Sequence, residues 1–109
     1  MAKGDLLGEF ELYVMLALAH LGSEAYGAAI RREIAQRTGR DAVIGAVYAT
    51  LARLEAKHLV RHALSDPVPV PGGRARKCFR LTPAGERALA ESTSMLGRMM
   101  KGWRPRQAE

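Results

Sequence analysis

Apolar residues recur every three or four positions at the start of the chain, at Leu6, Phe10, Tyr13, Val14, Ala17, Leu18 and Leu21, the period of one buried helix face. The spacing predicts a first helix from Leu6 to Leu21. Leu7, Met15 and Leu16 fall away from that stripe and predict a second buried side, one that meets a partner subunit. Gly22 stops the helix and Ser23 offers a cap for the next, in which Tyr26, Ile30 and Ile34 repeat at helical spacing until Gly39. A third helical pattern covers Gly45 to His58. Val47, Thr50, Leu51 and Leu54 share one side of it, while Gly45, Ala49, Ala52 and Ala56 share the other, with Tyr48 and Arg53 at the margins.

The period then changes. Leu59 to Leu64 predicts a short strand that buries Val60 and Leu64, and Cys78 to Leu81 predicts a second with Phe79 and Leu81 inward and Cys78 on the outer side. Between them Ser65 to Lys77 contains Pro67, Pro69, Pro71, Gly72 and Gly73, which forbid a helix and make an exposed loop too long for a tight turn. Thr82 before Pro83 is a capping hydroxyl followed by the residue best tolerated at a first helical position, so a fourth helix starts there and runs to about Trp103. Leu89, Ser92, Leu96, Met99 and Trp103 lie at intervals of three or four along it, with Met95 and Met100 beside them.

This order predicts a mostly α fold with a small β-hairpin, a winged helix-turn-helix followed by a C-terminal helix. Residues 1–82 form the expected winged-helix DNA-binding domain, residues 83–104 a dimerisation helix and residues 105–109 a frayed tail. A length of 109 residues suits one core, and an aromatic content of 6% suits helices packed through Leu, Ala, Val and Met. Seventeen Lys and Arg against eleven Asp and Glu leave a net charge of +6, which draws polyanions toward so small a body. The single Cys78 forms no internal disulfide, and the amino terminus lacks the pattern of a secretory signal, so a cytoplasmic location is expected with no membrane partner.

Where the charges fall decides what the excess means. In a winged helix the helix before the hairpin enters the major groove of double-stranded DNA. Gly45, Ala46, Ala49 and Ala52 let that helix approach base pairs closely, and Tyr48 and Arg53 reach phosphates or base edges from its margins. Arg74, Arg76 and Lys77, with Arg80 just beyond, concentrate positive charge on the wing, where a cationic loop tracks phosphates. The alternatives are a solvated alanine face and a solvated basic loop. No arrangement of nucleophile, base or phosphate-binding loop suggests an enzyme, and no cofactor or metal is expected, since His20, His58 and His62 are scattered with no carboxylate or cysteine grouping that suggests a metal site. Cys78 is either a thiol activated by Arg76, Lys77 and Arg80 or an indifferent one.

The fourth helix cannot cover its apolar stripe on so small a body, which predicts a symmetric homodimer and a pseudo-palindromic operator. Met95, Met99, Met100 and Trp103 also form an adaptable surface onto which a planar aromatic ligand could stack.

Three stretches carry a family resemblance: Ala25-Tyr26-Gly27, Val47-Tyr48-Ala49-Thr50-Leu51-Ala52-Arg53-Leu54-Glu55, and Arg76-Lys77-Cys78-Phe79-Arg80-Leu81-Thr82-Pro83-Ala84-Gly85. In this order and spacing the chain resembles the PadR family of transcriptional regulators, in the subfamily with a single short C-terminal helix. Val47 and Ala49 stand where leucine and proline are common in the family, and Cys78 where an aromatic residue is common. The resemblance implies a repressor, adds Tyr26 to the DNA-binding set, and implies a homodimer whose fourth helix packs partly on the partner's first. It also implies release by phenolic acids or aromatic drugs at the dimer interface; the residue pattern itself makes Met15, Leu96, Met99 and Trp103 the expected dimer or effector residues. A ligand-independent DNA-binding protein and a winged-helix protein-interaction module are the other readings.

Overall fold

The computed structural model describes residues 7–65 and 76–106. Helix α1 spans Glu9–Leu21, α2 Gly27–Thr38 and α3 Ile44–Ala56; strands β1, Val60–Leu64, and β2, Lys77–Leu81, form an antiparallel hairpin, and α4 covers Pro83–Met100. The core gathers Val14, Met15 and Leu18 of α1, Ile30 and Ile34 of α2, Val47, Leu51 and Leu54 of α3, and Val60, Phe79 and Leu89 from the elements that follow. The expected inner side of α3 is therefore buried as predicted, Thr50 included.

Met15 corrects the reading of α1. It is 0% exposed inside its own protomer's core, so it has no surface to offer a partner. Leu7 and Leu16 are partly buried against the same core. Ser23 does not cap α2: Gly22–Glu24 make a short 3-10 turn, and the N-cap is Tyr26 with no side-chain cap. Leu64 is 67% exposed rather than buried, because the hairpin has run past the helices by that point. The third helix stops at Ala56, and His58 reverses the chain with a left-handed φ of 62°.

Thr82 caps α4 as expected, its hydroxyl accepting from the Gly85 amide at 3.0 Å while donating to the His58 carbonyl at 2.7 Å. The Thr82 amide donates to the Leu59 carbonyl at 3.0 Å, so the start of α4 is stitched to the α3–β1 turn. The helix ends at Met100, short of Trp103, and Gly102 follows with a φ of 84°. The predicted stripe divides: Leu89 packs into the protomer's own core, whereas Leu96, Met99, Met100 and Trp103 are exposed.

Glu11 joins distant parts of the domain. Its carboxylate accepts from the Gly8 amide at 2.9 Å, half of a capping box, and from Lys57 Nζ at 3.1 Å just past the end of α3. Burial alone would raise its pKa, but the Gly8 amide, the Lys57 hydrogen bond and charge, and the charge of Arg53 outweigh it and hold the carboxyl below its usual 4.5. A depressed folded-state pKa gives stability that is present above 4.5 and lost as pH falls through the lower folded value. Glu11→Gln should thus lower the melting temperature at pH 7 by on the order of 5 °C. In thermal melts across pH, the gap to the parent should close as the pH drops below 4.5.

Candidate nucleic-acid interface

Once α3 has buried Val47, Thr50, Leu51 and Leu54, its opposite side is left to solvent. Gly45, Ala49, Ala52 and Ala56 lie there exposed, a shallow surface with no polar side-chain atoms. Tyr48 and Arg53 flank it, as the helical period requires. Arg53 donates to the Thr50 hydroxyl at 3.0 Å, which holds its guanidinium along the helix.

Tyr48 is positioned by two neighbours. Its ring meets Phe79 of β2 at a centroid distance of 6.3 Å, and it lies directly over Gly27 at the start of α2. A Cβ on Gly27 would sit 2.4 Å from both Cζ and Oη of Tyr48, so only glycine leaves room for the ring. The same Phe79 contacts His62 of β1, whose Nδ1 lies 2.6 Å from a Glu55 carboxylate oxygen on α3. Helix α3 and the hairpin therefore share one packed seam.

The hairpin places Arg61 directly opposite Arg80 and Leu64 opposite Lys77, with the Ser65 amide donating to the Arg76 carbonyl at 2.8 Å where the ladder ends. The Arg76 guanidinium stacks 5.2 Å from the centre of the Tyr26 ring, which brings two of the predicted site residues together. Cys78 forms an isolated bridge with Tyr26 and its thiol donates to the Ser23 carbonyl at 3.2 Å, so it is half-buried on the face opposite Phe79. Arg74 lies outside the described residues. Among the described residues no carboxylate forms an ion pair with Arg32, Arg61, Arg76, Lys77 or Arg80. These five cations therefore have no neutralising carboxylate among the described residues, and three of them lie on the hairpin's second strand or its edge.

Sequence reasoning missed three contributors. Arg61 became visible only through the strand register that sets it beside Arg80, and Arg31 and Arg32 line a groove with Ile44 where α2 meets the start of α3. Among the described residues no group of three His, Cys, Asp or Glu side chains could hold a metal ion, and no helix is long and apolar enough to cross a membrane.

The PadR-like transcriptional regulator family model matches residues 15–91, from the middle of α1 well into α4. The chain belongs to this family. The PadR-like chain is 40% identical over 74 residues to the transcriptional regulator Rv3488 of Mycobacterium tuberculosis, covering 68% of this chain and 64% of that protein, so it spans less than two thirds of its relative. A PadR-like transcription factor from Bacteroides fragilis superposes with a TM-score of 0.67 at 27% identity, over 83% of this chain and 82% of that one. F93 from STIV, a winged-helix DNA-binding protein, shares the fold with a TM-score of 0.69 at 20% identity, over 90% and 99% of the two chains. The fold also recurs, with a TM-score of 0.66 at 18% identity over 96% and 73%, in Bordetella bronchiseptica BpsR, whose DNA binding is regulated by 6-hydroxynicotinic acid. The family is one of transcription regulators rather than enzymes, and the hairpin is the wing of a winged helix.

Proposed function

We propose that this PadR-like chain is a sequence-specific repressor that binds a pseudo-palindromic operator as a homodimer and is released by a planar aromatic effector. The observation that carries the DNA reading is the shared seam. Small-residue α3 and the cationic hairpin are held as one unit through Tyr48, Phe79 and His62, so groove entry and phosphate attraction act together. Tyr48, Ala49 and Arg53 take the groove, and Tyr26, Arg76 and Lys77 take the backbone beside it; Arg74, outside the described residues, is assigned to the backbone with them.

Residues 83–104 are the dimerisation segment in this reading. Leu96 at 51%, Met99 at 81% and Trp103 at 63% exposure are large apolar side chains left uncovered among the described residues. A groove of about 270 Å³ between α1 and α2, lined by Tyr13, Leu16 and Ile34 among others, offers such side chains an apolar seat on a second copy. The effector would stack on Trp103 beside Met99 and would need unequal affinity for the two arrangements of the recognition helices. The ligand-regulated DNA binding of BpsR supports that part of the proposal.

The test begins with duplexes selected from random-sequence DNA by the intact protein. The expected preference over unselected duplex is about 1,000-fold or more at physiological salt. Gly27→Ala should then leave the melting temperature nearly unchanged, because the far end of the Tyr48 side chain can swing away, yet weaken operator binding by about tenfold. Full operator affinity in Gly27→Ala, measured by fluorescence anisotropy, would remove Tyr48 from the interface.

A further inference from the structure

Val43 and Ile44 break two rules at the same place. Val43 is the N-cap of α3, with φ −71° and ψ 146°, the extended geometry from which a short polar side chain caps a helix. Valine supplies no such hydrogen bond, and the first turn of α3 is left without a side-chain cap. Yet Val43 does not repay this by packing, since it is 68% exposed, and Ile44 beside it is 39% exposed. Both stability arguments favour serine or aspartate there. A local rule broken without structural gain marks a position kept for contact with something else.

What that contact is follows from the surroundings. The N-terminal residues of a recognition helix are the ones that meet base edges in the major groove. Ile44 lines a groove with Arg31, Arg32 and Asp41; Asp41 pairs with Arg31 at 2.9 Å, while Arg32 has no carboxylate pair among the described residues, so the corner keeps one free positive charge and fits a polyanion better than an apolar protein surface. The α3 face that continues from it is Gly45, Ala49 and Ala52, which can neither donate nor accept hydrogen bonds through side chains. In the major groove the one apolar group that distinguishes bases is the C5 methyl of thymine.

We propose that Val43 and Ile44 read thymine methyl groups, so that operator specificity at the entry of α3 is set by apolar contact rather than by hydrogen bonds. This rests on the proposed role of α3 as the groove-reading helix.

The probe is a duplex selected from random-sequence DNA by the intact protein, with each thymine replaced in turn by deoxyuridine, which lacks only the methyl. At one or two thymines per half-site the affinity should fall about fourfold. In Val43→Ser and Ile44→Ala that penalty should vanish while the other thymines keep their effects. Val43→Ser should also melt about 4 °C higher, because serine caps the helix, which separates recognition from a folding role. A flat deoxyuridine scan, or a penalty unchanged in both variants, overturns the inference and leaves DNA binding standing. Failure to select any duplex overturns both.

Discussion

Gly85→Ala should lower the melting temperature by more than about 10 °C, the largest stability loss expected for a single methyl in this chain. A Cβ at Gly85 would stand 2.0 Å from the Leu59 carbonyl oxygen and 2.9 Å from its carbon. Both are backbone atoms, so no side-chain rotation relieves the clash. The Leu59 carbonyl already accepts from the Thr82 amide, and the Gly85 amide donates to Thr82 Oγ1, so moving either segment breaks the cap of α4 and its seam with the α3–β1 turn. Overpacking of this kind costs about 3 kcal/mol or more where the backbone cannot yield. Circular dichroism melts of Gly85→Ala and Gly85→Ser should agree, and a near-parental melting temperature in either would contradict the tight junction described for α4.

Met99→Glu should reduce operator affinity by about 100-fold or more without touching the DNA-facing surface. Met99 is 81% exposed on the protomer, so the substitution costs the isolated fold little. In the proposed homodimer the same position would be covered, and a buried unpaired carboxylate there would oppose association. Loss of the dimer removes the second half-site and with it the effective concentration that lets two modest contacts act as one strong one. Sedimentation should report a monomer for Met99→Glu, with a far-ultraviolet spectrum like the parent's. Trp103→Glu, outside the helix and likewise exposed, should behave alike.

The parts of this fold that can be read in the sequence are those set by local chemistry. The inner side of α3 follows from the period of Val47, Thr50, Leu51 and Leu54, and the start of α4 follows from Thr82 and Pro83. Periodicity separates sides of a helix but does not say which body covers them, so Met15 was assigned to a partner when its own core takes it. Alternation likewise carried Leu64 inward past the point where the helices end. Ser23 looks like a cap in one dimension, but a 3-10 turn occupies it.

The candidate site was legible in its residue types and less so in its supports. Tyr48 could be named from the small-residue face it borders. That Gly27 clears the space for its ring, and that Arg76 stacks on Tyr26, are contacts between segments far apart in sequence. Glu11 forms its bond to Lys57 across 46 positions, a partner no local pattern points to. Val43 carried a usable signal, an apolar residue where a helix cap belongs, but only its exposure turns that into an argument.

The central claim, a dimeric winged helix that holds DNA through α3 and a cationic hairpin, is tested most directly by titrating the intact protein onto its selected operator across a salt series. Two protomers should bind each duplex, and with about eight phosphates neutralised the logarithm of affinity should fall against the logarithm of salt with a slope near about −7. One protomer per duplex, or an affinity indifferent to salt, would contradict it.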